Sequence, residues 1–196
     1  MWKQKRQVLT VLGLTLAGIS TAAAQADPAT TPMDANTVMV GGEAMFRNKT
    51  IVENAAKSAD HTTLVAAVKA AGLVETLQGA GPFTVFAPTD AAFDRLPEGT
   101  VPTLLKPENK ARLAGVLSYH VLAGRYDAHA LTDAIRKGGG RATLRTVQGA
   151  PLTFTMNGER NIVVRDANGM VADIAIYDVA QSNGVIHVID RVLLPS

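Results

Sequence analysis

Between Thr50 and His120 the apolar residues of this chain recur mostly at helical spacing, and beyond Gly138-Gly139-Gly140 they fall into short strand-like blocks. Thr50 and Glu53 stand at capping-box separation ahead of Ile51, Val52, Ala55 and Ala56, which predicts a helix start. Asp60 to Thr63 announces a second helix carrying Leu64, Val65, Val68 and Ala71, and Gly72 ends it. A short helical stretch from Leu73 to Leu77 runs into the turn Gly79-Ala80-Gly81-Pro82. Phe83-Thr84-Val85-Phe86-Ala87 reads as a strand, because aromatic and β-branched side chains suit a pleated surface. Pro88 removes a ladder donor and Thr89 or Asp90 can accept from free helix amides, so a helix follows with Phe93 and Leu96 facing inward. Pro107-Glu108 opens another helix, with the stripe Ala111, Leu113, Val116, Leu117 and His120.

Strands are expected near 142–147, 152–156, 162–165, 171–179 and 185–192, punctuated by Asn157-Gly158, Asn168-Gly169 and Asn183-Gly184, the residue pair favoured in tight hairpins. Helices followed by antiparallel strands place the fold in the α+β class rather than among doubly wound sheets. Residues 27–45 contain Pro, Thr and Gly with little periodicity and read as a linker, so the domain is expected over 46–196. No internal repeat or low-complexity tract interrupts it.

The start of the chain follows a different logic. Lys3, Lys5 and Arg6 precede a run from Val8 to Ile19 that is apolar except for Thr10 and Thr15, and small residues Ala22 to Ala26 lead to Asp27-Pro28. These are the zones of a secretory signal over 1–26; cleavage after Ala26 is favoured, and a cut after Ala24 also fits the small-residue rule. A run of about a dozen residues falls short of the roughly 20 needed to cross a bilayer, so no stable membrane span is expected after cleavage. Without a cysteine there is no lipid attachment at the cut, and an exported domain must rely on its packed core. The net charge of +2 changes meaning too: with Lys3, Lys5 and Arg6 removed, 16 basic residues face 17 acidic ones. The remaining domain is near neutral, which takes away the electrostatic footprint of nucleic-acid binding. The expected location is secreted, extracellular or periplasmic.

Three segments together resemble the fasciclin-like domain family: Phe83-Thr-Val-Phe-Ala-Pro-Thr-Asp-Ala-Ala-Phe93, the Tyr119-His120 pair, and Asn183-Gly-Val-Ile-His-Val-Ile-Asp-Arg-Val-Leu-Leu-Pro195. They stand in the family's order and extend the resemblance over roughly 48–195, with bacterial exported single-domain fasciclin proteins as the similar group. The resemblance implies a wedge-shaped β-sandwich flanked by N-terminal helices, and a theme of adhesion or surface interaction shared by animal matrix proteins, plant arabinogalactan proteins and mycobacterial secreted antigens. Tyr119 and His120 resemble the tyrosine-histidine motif implicated in integrin contact in the animal proteins. Asp178 and Val179 resemble an acidic-aliphatic pair of another such motif, here preceded by Tyr177 rather than proline. The four are the candidate partner-binding residues. His120 also shares a helical stripe with Val116 and Leu117, which would make the pair a core element with internally satisfied polar tips.

Other polar residues give little chemistry. His187 lies between Val185 and Ile189 on one strand face with Ile186 and Val188 on the other, so it reads as a core histidine. His61 and His129 lack ligand spacing, Asp166-Ala-Asn168-Gly169 lacks the acids of a calcium loop, and Thr50 of the sequon Asn48-Lys49-Thr50 reads as a helix cap; no metal or cofactor is expected. Ser58, Ser118, Ser182 and Ser196 lack a nucleophile-elbow setting, and Gly138 to Arg141 lacks the lysine and hydroxyl of a phosphate loop. The expected function is a non-enzymatic interaction module for adhesion or matrix association through protein or glycan binding. A periplasmic small-molecule carrier is the alternative, and a hydrolase using two carboxylates the third.

Overall fold

A computed structural model of the chain describes residues 37–195. The secretory signal and its cleavage site, and 27–36 of the expected linker, lie outside the described residues. From Val38 onward the expected linker is instead a hairpin of β1 (Val38–Val40) and β2 (Glu43–Met45), turned by Gly41 and Gly42 at φ 58° and 77°. Positive φ at both turn positions is what a tight hairpin needs. Val40 and Met45 are buried in the core, so these residues belong to the domain; strands this short leave no period to read.

Helix α1 (Ile51–Ala55) starts with the expected capping box: the Thr50 hydroxyl accepts from the Glu53 amide, and the Glu53 carboxylate accepts from the Thr50 amide at 2.8 Å. A 3₁₀ turn (Ala59–His61) leads into α2 (Thr62–Ala71), closed by Gly72 at φ 74°. There follow α3 (Val74–Gln78), β3 (Phe83–Pro88), α4 (Asp90–Asp94), α5 (Thr100–Leu104), a 3₁₀ turn (Pro107–Asn109) and α6 (Lys110–Tyr119). The acceptor at the start of α2 is Asp90 of α4, which receives the amides of Thr62 and Thr63 at 3.2 and 2.8 Å. Then come β4 (Val121–Ala123), α7 (Ala128–Lys137), β5 (Arg141–Arg145), β6 (Pro151–Asn157), β7 (Asn161–Arg165), β8 (Val171–Gln181) and β9 (Gly184–Ile189).

The larger sheet has the order β4-β3-β9-β8-β7-β6-β5. Every pairing in it is antiparallel except β3 with β9, which run parallel from Phe83 beside Gly184 to Pro88 beside Ile189. A Cβ on Gly184 would collide with the Phe83 carbonyl, so the close start of this pairing needs glycine. Leu122 of β4 bridges Thr146 just beyond β5, and the Val147 amide donates to Val121 at 2.8 Å. The outer strands therefore meet and the sheet folds over into a sandwich.

Alternation along β3 and β9 divides the core. Val85, Ala87, Ile186 and Val188 face the helices and the N-terminal hairpin, among Leu64, Val68, Leu113 and Leu117. Phe86 and Ile189 face the sandwich interior with Phe154, Leu152, Ile162 and Leu193. The amphipathic α7, which the apolar pattern did not announce, covers that interior with Leu131 and Ile135, both buried.

Candidate functional site

Tyr119 is the last residue of α6 and is wholly buried. Its hydroxyl donates to the Pro151 carbonyl and accepts from the Ala167 amide, both at 2.9 Å. Burial pushes the phenol above its usual range. His120 follows as the helix C-cap. Its Nδ1 lies 2.8 Å from the Val116 carbonyl and must carry the proton, which leaves Nε2 to accept from the Leu193 amide at 2.9 Å. Burial lowers this imidazole to about 4, against the pull of the Val116 carbonyl and the Asp166 carboxylate. Both polar tips are satisfied inside the fold and both side chains are buried, as the helical stripe of His120 with Val116 and Leu117 implies.

The other expected pair splits. Val179 is buried, whereas Asp178 is exposed at φ 57°, the one non-glycine residue at positive φ among the described residues. Its carboxylate accepts from the Ala128 amide at 2.7 Å, beside the Asp127 side chain that accepts from Ala130 at 2.8 Å. Two carboxylates thus hold the positive end of the α7 dipole. The Asp178 amide donates to His187 Nδ1 at 3.4 Å, and the protonated Nε2 of His187 donates to the Tyr126 carbonyl at 2.8 Å. His187 is fully buried, stacked on Phe86 at 5.5 Å and met edge-on by Tyr177 at 6.1 Å; burial lowers its pKa. The structure therefore places one of the four candidates at the surface, with its carboxylate engaged by a helix.

Two groups outside that set matter for the interior. Asp166 turns both oxygens inward, accepting from the amides of Asn168, Met170 and Leu194 at 2.9, 2.8 and 3.0 Å. Tyr119, His120 and Asp166 together clip the C-terminal segment, Leu193-Leu194, to α6 and the β7–β8 turn. An aspartate two residues before Asn-Gly is the available sign of such a turn, but its third bond comes from a residue 28 positions away. His61 is buried with Nδ1 2.8 Å from the Ser58 hydroxyl, while Nε2 has no hydrogen-bond partner within range; burial lowers its pKa, with the nearby Ala87 carbonyl acting against that shift. It lines a cavity of about 10 Å³.

A larger apolar pocket of about 80 Å³ opens between α1, α2, α3 and β3, lined by Val52, Ala55, Val65, Val74 and Leu117 with the exposed Lys69 at its edge. Among the described residues there is no cluster of three or more histidines or carboxylates that could hold a metal.

A family model described as Fasciclin domain matches residues 59–195. Protein sll1483 of Synechocystis sp. is 50% identical over 146 residues, 74% of this chain and 73% of that protein. Immunogenic protein MPB70 of Mycobacterium bovis is 36% identical over 146 residues, 72% of this chain and 66% of its own length. Cell surface glycolipoprotein MPB83 of the same species is 38% identical over 123 residues, 63% of this chain and 48% of its own. Among solved structures, a FAS1 domain pair from the insect cell adhesion molecule Fasciclin I has the same fold at a TM-score of 0.66 and 20% identity, over 74% of this chain and 51% of that chain.

Proposed function

The chain belongs to the fasciclin domain family, and on that premise we propose that it is a non-enzymatic interaction module, exported to the cell surface or periplasm, that binds a protein or glycan partner in adhesion or matrix association. The observation that carries this reading is the inward commitment of Tyr119, His120 and His187, whose polar atoms are all engaged within the fold. Side chains so placed hold the fold together and leave recognition to the outer surface. One relative, MPB83, is a cell surface glycolipoprotein, which supports the location. No helix among the described residues is long and apolar enough to cross a membrane.

A carrier needs a ligand-sized cavity. The apolar pocket of about 80 Å³ is roughly half the volume of a cavity that admits benzene, about 150 Å³. The wider cleft of about 660 Å³ beside Thr100, Arg112 and Leu194 is open and of mixed polarity. Neither is an enclosed apolar cavity of ligand size, which favours the interaction reading. The test is capture: the immobilised protein, incubated with envelope and matrix extracts, retains a partner above a heat-unfolded control. No retention above that control, with a small molecule co-purifying instead, overturns the reading.

A further inference from the structure

The folded sheet has an outer face that the core does not use. β5 alternates Arg141, Thr143 and Arg145 outward with Ala142 and Leu144 inward. Register carries that face across two more strands, since Arg141 pairs Thr155, Thr143 pairs Thr153, Arg145 pairs Pro151, and Thr153 pairs Arg165. Directly opposed residues share a face, so three guanidiniums and three threonine hydroxyls lie on one pleated surface. At about 3.3 Å per residue, Arg141 and Arg145 stand roughly 13 Å apart along β5. At about 4.8 Å per strand, Arg165 lies roughly 10 Å across from Thr143.

Among the described residues none of the three arginines forms an ion pair. Arg145 and Arg165 each donate one hydrogen bond to the carbonyl of their own turn, Gly149 at 3.2 Å and Gly169 at 3.0 Å, which holds the heads at the turn end of the sheet with other donors free. The nearest acidic member of the face is Asp173 of β8, which pairs Val163 and stands diagonally across from Arg165, roughly 8 Å away and without an ion pair, and three strands from Arg141. The three arginines thus gather basic charge on one face of a domain whose overall charge is near neutral.

We propose that this face of β5, β6 and β7 binds an acidic polysaccharide. The inference rests on the interaction reading above and names the partner's chemistry. Guanidinium forks suit carboxylates, and the threonines between them offer donors and acceptors to sugar hydroxyls. Binding of single-stranded nucleic acid relies on aromatic platforms for unstacked bases, and a protein hot spot on a buried aromatic or arginine anchor set in a pocket. Arg141, Thr143, Arg145, Thr153, Thr155 and Arg165 supply neither.

Retention of the full chain on alginate beads, with neutral dextran beads as the control surface, tests this. Alginate binding is expected, weakening as salt rises, and Arg141→Gln/Arg145→Gln/Arg165→Gln should bind about tenfold more weakly with an unchanged melting temperature. A control triple on the helical side, Lys106→Gln/Lys110→Gln/Arg112→Gln, should bind like the parent. Absence of alginate binding, equal losses in both triples, or competition by single-stranded DNA as strong as by free alginate would each overturn the proposal. Failure on alginate with envelope capture intact in both triples removes this face and leaves the interaction module standing. Failure of the parent protein to capture envelope material removes that broader reading.

Discussion

Acidification should unfold this protein through its interior histidines before its surface carboxylates decide the matter. His120 is the clearest case because both ring nitrogens already have partners: Nδ1 donates to Val116, and Nε2 accepts from Leu193. Protonating Nε2 would set a donor against the Leu193 amide and place a charge in a fully buried site. The folded-state pKa lies below the unfolded one, so the unfolded chain binds more protons in the interval between them, and stability falls as pH falls through that interval. The drop from 6.5 to about 4, at about 1.36 kcal/mol per unit, is worth about 3 kcal/mol, present in full at neutral pH and lost progressively between those values. His61 and His187 are lowered in the same direction by burial and add to the slope. Urea unfolding at half-unit steps from pH 7.5 to 4.5, with the His120 ring signal followed by NMR, measures both quantities. An unfolding free energy that is flat across that range, or a His120 midpoint near 6.5, would refute the reasoning.

Tyr119→Phe keeps the ring but leaves the Pro151 carbonyl and Ala167 amide without their buried partner, so denaturant unfolding should register a loss of about 1–3 kcal/mol; an unchanged midpoint would contradict the geometry. Asp178→Ala removes an acceptor from the start of α7 and keeps a side chain at φ 57°, whereas Asp178→Gly removes the acceptor and relaxes the backbone; alanine should be the costlier by about 1 kcal/mol in thermal melts. Starting the chain at Phe46 discards the burial of Val40 and Met45, about 1.5–3 kcal/mol each, and should lower the melting temperature clearly. Equal stability would return residues 38–45 to the status of a linker.

Local rules were readable where both partners of an interaction lie close in sequence. The Thr50–Glu53 box and the strand Phe83–Ala87 formed as their residue types require, and the chain reverses at all three Asn-Gly pairs, although Asn157 and Gly184 are strand residues and no asparagine there takes a positive φ. The double burial of β9 was visible too, because Val185, His187 and Ile189 alternate with two other apolar residues. What escaped depends on distant partners. Asp90 caps a helix that begins 28 residues before it, and Asp178 caps one that begins 50 residues before it. The parallel pairing of β3 with β9 has the same period-two pattern as an antiparallel one, so periodicity does not separate them. Helix α7 sets only two large apolar anchors, Leu131 and Ile135, one turn apart among alanines and polar residues, so its apolar stripe is faint in the sequence. For the candidate site, the helical stripe placed His120 among core residues, and the structure buries both it and Tyr119.

The place of β9 in the sheet sets the timing of folding. It is the last strand in the chain, yet it stands third of seven, hydrogen-bonded on both sides. Phe86 meets His187 across a loop of about a hundred residues, whose closure must be met from chain entropy before the contact repays it. While residues 184–189 are missing, β3 has a bare edge, and Val85 and Phe86 lack the partners that cover their two faces. A chain elongating from its N-terminus therefore cannot complete either half of its core until almost all of it is made. It folds late and in one step, and a truncation just before Gly184 should leave a sticky, strand-ready intermediate rather than a smaller stable domain.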